Sequence, residues 1–154
     1  MTAERLLSYF SEKRFIPELR ARSKDGVLLE MVRALADDGA VGDPTLLLEM
    51  IRRRESLGST GLGKGVAIPH GRSTAATDTR VVFARSTKGI DFGAIDGEPC
   101  RIFFLIVAPY DDTKHEYLPL LGKIAELANS VRDALATAEN FAAFTAAVQE
   151  AMGE

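Results

Sequence analysis

The chain has 154 residues, of which 46% are hydrophobic and 27% are charged, and its formal net charge is −3. This size and composition predict a single globular domain spanning residues 1–154 and exclude a disordered chain. The acidic balance, with a pI of about 5.5, lacks the basic footprint that nucleic-acid binding usually requires, so no nucleic-acid partner is expected.

The apolar segments are too short for a membrane protein. The longest uninterrupted apolar run, residues 102–108, falls far short of the roughly 20 residues that a membrane-spanning helix needs, so no membrane insertion is expected. No secretory signal is visible at the N-terminus. The single cysteine, Cys100, cannot form an internal disulfide and is expected to be a small buried side chain. These features predict a cytoplasmic protein.

Two helices are predicted after a short N-terminal segment. The first is capped by Ser23 and closed by Gly39, and the second begins at Asp43-Pro44 and stops at Gly58. Each has one apolar stripe at helical spacing. The stripe residues are Val27, Leu28, Met31, Val32 and Leu35 in the first helix, and Leu47, Met50 and Ile51 in the second.

The middle of the chain predicts strands. Glycines crowd residues 58–65 and lead into the apolar segment 66–68. Residues 80–86 and 101–108 are also strand-like, and the latter lack polar alternation, so they are expected to form a central strand covered on both faces. Between them, Asp96-Gly97 is a tight-turn signal that favours an antiparallel connection and hence a mixed sheet.

The last third of the chain returns to a helical pattern. Two apolar faces are predicted there, one made of Leu121, Ile124, Ala125 and Ala128 and the other of Phe141, Phe144, Thr145 and Val148. Helices at both ends of a central sheet predict an α/β fold.

The glycine-dense stretch partly matches a nucleotide-binding loop, because residues 58–64 fit the pattern G-x-x-x-x-G-K. The match fails at the next position, where Gly65 replaces the Ser or Thr that would bind magnesium. The segment also runs from a helix towards a strand, the reverse of a phosphate-binding loop. A Rossmann fingerprint fails because Val66 stands where a third glycine or alanine is needed. No nucleotide cofactor is therefore expected.

His70 follows the apolar segment. It lies between Pro69, which restricts the backbone, and Gly71, which gives the backbone extra freedom. Pro69 biases Ile68 towards extended geometry, and Gly71 would let a ligand or a partner approach the ring of His70 closely. No cysteine or carboxylate at ligand spacing accompanies His70, so no metal site is expected. The alternative is that His70 only makes a hydrogen bond within a loop.

An arginine on the preceding helix strengthens the functional interpretation. Arg54 follows Ile51 by three residues and Leu47 by seven, which places it on the inward face, where a guanidinium requires an anion. The alternative, which fits Arg52 and Arg53 better, is that these arginines complement the helix dipole. An imidazole, a guanidinium and a glycine-rich loop together are suited to holding a phosphoryl group.

Residues 54–72 carry a specific family resemblance. They read RESLGSTGLGKGVAIPHGR and resemble the signature of the fructose/mannitol and nitrogen-regulatory class of enzyme IIA (EIIA) of the bacterial phosphoenolpyruvate phosphotransferase system. The resemblance extends to Ser23-Lys24-Asp25, to residues 89–92 with Asp96-Gly97, and to residues 104–109, so it covers nearly the whole chain.

The resemblance implies a fold, a reaction and partners. The fold would be a mixed five-stranded sheet with helices on both faces. His70 would accept a phosphoryl group from phosphohistidine on an HPr-type carrier or its nitrogen-branch counterpart, with Arg54 stabilising the phosphoryl charge and neither metal nor nucleotide required. In transport members the group then passes to an enzyme IIB (EIIB). The alternative is a regulatory interaction module whose phosphorylation state controls target binding without onward transfer.

The chain departs from the family at one position. The family usually has a second histidine at the start of the helix after the central strand, and alignment on Leu120-Leu121 places Tyr117 there. His115 lies two residues earlier, and Pro119 predicts that the helix begins near Tyr117. We expect His115 to supply the second polar group from a loop. The alternatives are that Tyr117 supplies it and that His115 is simply exposed.

Overall fold

The structure is a computed structural model that describes residues 1–153. Within them, no helix is both long and apolar enough to cross a membrane. In chain order the elements are α1 (Ala3–Leu7), a short 3-10 helix (Glu12–Arg14), β1 (Phe15–Ile16), α2 (Lys24–Asp37), α3 (Pro44–Ser56), β2 (Gly61–Gly63), β3 (Val66–Ala67), β4 (His70–Ser73), β5 (Arg80–Ile90), β6 (Cys100–Pro109), α4 (Tyr117–Ala136) and α5 (Phe141–Ala151).

The strands form one mixed sheet in the order β1-β5-β6-β3-β2, with β4 also paired to β6. Strands β3 and β4 run parallel to β6 in the same register, with Val66 opposite Ile102 and His70 opposite Ile106. They therefore lie end to end along one edge of β6, separated by Ile68 and Pro69, and Pro69 has no N–H to add to the ladder. The mixed sheet is confirmed, and its six described strands fill five positions.

Most of the predicted elements are confirmed. Ser23 caps α2 by accepting from the Gly26 N–H at 3.1 Å, and Asp43 caps α3 by accepting from the Leu46 N–H at 3.1 Å. Strands β5 and β6 pair in antiparallel fashion, as the turn signal indicated. The N-terminal elements α1 and β1 were not predicted, because five and two residues are too few to show a period.

Helices cover both faces of the sheet, as expected. Strand β6 explains the arrangement, because Phe104 and Ile106 point into one core and Phe103 and Leu105 into the other, and all four are fully buried. The first core includes residues of α1, α4 and α5, and the second includes residues of α2 and α3. Helix α3 packs against β4, and α4 begins with Tyr117 close to His70 at the start of β4.

Candidate functional site

His70 is the first residue of β4, and its ring is fixed by its own backbone. The His70 Nδ1 lies 2.6 Å from the carbonyl oxygen of Ile68. A carbonyl oxygen can only accept, so Nδ1 carries the proton and Nε2 keeps its lone pair. The residue is half-buried. In the neutral ring this hydrogen bond selects the tautomer in which Nε2 is the nucleophilic nitrogen.

Gly71 allows α3 to approach β4 closely. A Cβ atom at Gly71 would lie 3.2 Å from Cδ1 of Ile51 on α3. The absence of a side chain at this position lets α3 pack tightly against β4. Because Arg54 lies one turn beyond Ile51, this contact places the last turn of α3 beside β4. Gly71 therefore has a packing role.

The three arginines at the end of α3 differ in their partners. Arg52 binds the Asp25 carboxylate through two hydrogen bonds of 2.7 and 2.8 Å, and Arg53 lies 3.6 Å from Glu49. Arg54 is half-buried and donates from Nη1 to the Gly58 carbonyl oxygen at 3.0 Å. Within residues 1–153 no carboxylate pairs with it, so its remaining N–H donors are available to an external anion.

Tyr117 provides the ring nearest to His70. It is the buried first residue of α4, and the two ring centroids lie 6.1 Å apart. Burial raises the pKa of the Tyr117 hydroxyl to about 12, although the positive charges of Arg72 and Arg54 act to lower it. The hydroxyl therefore remains a neutral donor at physiological pH.

Arg72 joins this group although sequence reasoning gave it no role. Its guanidinium carbon lies 5.7 Å from the centre of the Tyr117 ring. The signal that could have identified it is spacing, because residues i and i+2 of a strand point to the same face and Arg72 follows His70 by two.

His115 lies further out, in the loop before α4. It is exposed, has a left-handed backbone with φ of 52°, and donates its N–H to the Asp112 carbonyl oxygen at 2.9 Å. With Arg72 and Tyr117 it lines an open cavity of about 390 Å³. Helix α4 begins at Tyr117, as Pro119 predicted. Both proposed second residues therefore border the same space, with Tyr117 inside and His115 at the rim.

A buried acidic residue that sequence reasoning missed holds the end of α3. The Glu55 carboxylate accepts from the N–H of Thr60 at 3.2 Å and from its hydroxyl, and it pairs with Nζ of Lys24 at 2.7 Å. The Lys24 ammonium also lies 4.8 Å from the centre of the Phe92 ring. A negative charge is unfavourable at the C-terminus of a helix because of the helix dipole. The acidic residue at this position of the sequence therefore indicated that Glu55 has a structural partner.

The glycine-rich stretch forms a hairpin between β2 and β3. Its turn includes Lys64 and Gly65 with φ of 57° and 82°, a region that favours glycine, and the Asp96 carboxylate holds it by accepting from the Lys64 N–H at 2.8 Å. The hairpin leads into a strand and not into a helix, as the sequence indicated. Asp96 itself belongs to the turn before β6, so two separate loops stabilise each other here.

Among residues 1–153, no group of three or more His, Cys, Asp or Glu side chains is placed to hold a metal ion.

The single cysteine is a packing residue. Cys100 is buried, and burial raises the pKa of its thiol to about 11.

Comparison with known proteins identifies the chain's relatives. A family model described as "Phosphoenolpyruvate-dependent sugar phosphotransferase system, EIIA 2" matches residues 8–151. The "PTS system fructose-specific EIIA component" of Haloferax volcanii is 32% identical over 120 residues, which cover 77% of each chain. The "PTS system fructose-specific EIIABC component" of Bacillus subtilis is 33% identical over 109 residues, which cover 71% of this chain but only 17% of that protein.

The fold is also shared with a solved structure. The crystal structure of "Nitrogen Regulatory Protein IIA-Ntr from Neisseria meningitidis" is similar with a TM-score of 0.83 and 29% sequence identity. The similarity covers 92% of this chain and 97% of that one. The proteins similar to this chain are thus named both as fructose-specific PTS components and as a nitrogen regulatory protein.

Proposed function

Because the chain belongs to the EIIA 2 family of the phosphoenolpyruvate-dependent sugar phosphotransferase system, we propose that it is a phosphocarrier. His70 takes a phosphoryl group from phosphohistidine on an HPr-type carrier protein. The group then passes to an EIIB, or it regulates nitrogen or carbon metabolism. We place this activity in the cytoplasm, which suits a chain with one reduced, buried thiol.

The observation that carries the proposal is the tautomer of His70. With Nδ1 donating to Ile68, the lone pair of Nε2 attacks the phosphorus, an Nε2–P bond forms, and the N–P bond to the donor's imidazole breaks in line. The electron pair of that bond leaves with the donor ring. The His70 ring gains positive charge in the step, and the Ile68 carbonyl oxygen stabilises it through the same hydrogen bond.

The surrounding charges suit the phosphoryl oxygens. The positive charges of Arg54 and Arg72 both act to lower the pKa of Tyr117, and the Arg72 guanidinium carbon lies 5.7 Å from the centre of its ring. They would stabilise the negative charge on the equatorial oxygens, where a fixed cation contributes most. Tyr117 would donate a neutral hydrogen bond. We propose Tyr117 as the inner second residue and His115 as an outer residue that a bound partner brings closer.

Exposed apolar side chains near the site suit a protein partner. Leu57, at the end of α3, is 81% exposed, and Leu118, beside Tyr117, is 70% exposed. They flank the site from its two helices and would be covered by a docked carrier. The Bacillus subtilis relative is named as an EIIABC component, which supports an EIIB as the acceptor.

A second function is favoured by the Neisseria relative, which is named a nitrogen regulatory protein. In that case the phosphorylation state of His70 controls binding to a target protein and no group is passed on. Both functions use the same acceptor nitrogen, and they differ only in the fate of the phosphoryl group after the first transfer.

The test is labelling in a purified system. Incubation with enzyme I, an HPr-type carrier and labelled phosphoenolpyruvate should add one phosphoryl group, labile in acid and stable in base. His70→Ala should take up no label, whereas the matched control His115→Ala should still be labelled. Uptake by His70→Ala at the wild-type rate would refute the proposal. Adding purified EIIB proteins then distinguishes the two functions, since only a carrier in transport loses its label to one of them.

A further inference from the structure

A second cavity lies away from His70, between the β2–β3 hairpin and the second half of α4. It encloses about 240 Å³ and includes Lys64 and Val66 from the hairpin and Ala128 and Arg132 from the helix. Along α4, Ala128 lies eleven residues after Tyr117, or about 16 Å at 1.5 Å per residue. The cavity is therefore separate from the site that Tyr117 borders.

The charged residues of this cavity are all positive. Lys64 and Arg132 line it and no acidic residue does. Within the described part of the chain neither makes an ion pair, and Arg132 spends one N–H on the Asn129 carbonyl oxygen at 3.2 Å. An anion bound in this cavity would therefore meet two positive charges that no carboxylate of the described residues neutralises.

The main chain of Lys64 is held beside the cavity. Asp96 accepts from its N–H at 2.8 Å, and Lys64 is one of the residues that line the cavity. Arg132 directly follows an interruption of α4 at Val131, where φ is −131°. A wall that is held in place before binding loses less entropy when a ligand binds.

The remaining walls are apolar. Val66 and Ala128 are buried, and Leu62 lies at the opening with 51% of its surface exposed. A hydrocarbon chain placed here would cover Leu62. The volume is below the roughly 300 Å³ at which pockets for drug-sized ligands begin, so the ligand is small.

We propose that this cavity binds a small aliphatic carboxylate. The carboxylate lies between Lys64 and Arg132, whose guanidinium fork matches its two oxygens. The hydrocarbon body packs against Leu62, Val66 and Ala128. Lys64, the lysine of the G-x-x-x-x-G-K pattern, therefore binds an organic anion and not a nucleotide phosphate. The proposal concerns binding alone and does not rest on phosphorylation of His70.

The probe is hexanoate, followed by amide chemical shifts in NMR spectra of the full chain. Saturable shifts are expected in residues 62–66 and 125–132. Two probes separate the contributions, since 1-hexanol keeps the hydrocarbon without the charge and inorganic phosphate keeps the charge without the hydrocarbon. Both are expected to bind at least about fivefold more weakly, because each lacks one of the two contacts.

Variants of the two cations complete the test. Lys64→Asn removes the charge and keeps a residue that tolerates φ of 57°, and Arg132→Gln removes the other charge. Each should weaken hexanoate binding about tenfold, the scale of one charge-assisted contact. Lys123→Gln, on the same helix but paired with Glu126, should leave it unchanged. Shifts located elsewhere, hexanol binding as tightly as hexanoate, or unchanged binding in the Lys64→Asn/Arg132→Gln double variant would overturn the proposal.

Discussion

Two segments border His70, and they are stabilised in different ways. Residues 54–60, which carry Arg54, are fixed from the interior by the buried Glu55 and its partners Thr60 and Lys24. Residues 112–117, which end in Tyr117, are held nearer the surface. There the Asp112 carboxylate caps α4 by accepting from the N–H groups of residues 116 and 117 at 3.1 and 3.2 Å.

A second set of contacts holds the surface segment from the side of α1. The Tyr9 hydroxyl donates to Glu116 at 2.5 Å, and Arg5 lies 3.1 Å from the same carboxylate oxygen. Glu116 and Asp112 thus hold the Tyr117 side through several shared contacts near the surface, whereas the Glu55 network holds the Arg54 side from the interior. A cation held in place before the reaction is what electrostatic stabilisation of a reacting group requires.

The largest effect is expected from removing the interior network. Glu55→Ala leaves the buried Thr60 N–H and hydroxyl without a partner and Lys24 without its counter-charge. We expect a loss of about 2–3 kcal/mol in the free energy of unfolding, less than for a fully buried pair because Lys24 is 30% exposed. Urea unfolding measures it, with the exposed Glu49→Ala on the same helix as control. Equal stabilities of the two variants would contradict a structural role for Glu55.

Next in size is the loss of the guanidinium fork at Arg54. Arg54→Lys keeps the charge but removes the planar donors, and phosphoryl transfer to His70 should slow roughly ten- to a hundredfold, or about 1.5–3 kcal/mol on the barrier. Arg53→Lys is the matched control, since Arg53 is exposed on the same turn. If both variants transfer at the wild-type rate, Arg54 only complements the helix dipole.

A smaller effect is expected at the second polar residue. Tyr117→Phe should slow transfer about fivefold, the scale of one neutral hydrogen bond, and His115→Ala should slow it less. Burial raises the pKa of Tyr117 to about 12, so the hydroxyl loses its proton only as the pH rises towards that value. The ratio of wild-type to Tyr117→Phe rates should therefore be constant from pH 6 to pH 9. A larger effect of His115→Ala would assign the role to His115.

The smallest effect is expected in the surface contacts. Tyr9→Phe removes the hydrogen bond to Glu116 and should slow transfer about twofold, with little loss of stability, because Asp112 still caps α4. Stopped-flow transfer rates measure it, and Tyr110→Phe, at an exposed tyrosine, is the control. A tenfold loss would show that the surface contacts affect transfer as strongly as the contacts of Arg54.

The sequence predicted the features that depend on local patterns. Caps and apolar stripes located α2 and α3, the unbroken apolar run located β6, and Pro69 with Gly71 singled out His70. Contacts between residues that are far apart in the sequence could not be predicted in this way. Neither the packing of Ile51 on Gly71 nor the pairing of Lys24 with Glu55 has a local period, and both depend on where α3 meets the sheet. By contrast, the start of α4 at Tyr117 was predictable from Pro119, because proline favours the first turn of a helix.

The most direct test of the proposed phosphocarrier role is which nitrogen receives the phosphoryl group. The hydrogen bond from Nδ1 of His70 to Ile68 leaves only Nε2 free to attack. Uniform ¹⁵N labelling, phosphorylation by an HPr-type carrier and measurement of the ³¹P–¹⁵N coupling identify the bonded nitrogen. We predict one phosphoryl group on Nε2 of His70. A group on Nδ1 of His70, or on His115, would contradict this role for the Nδ1 hydrogen bond.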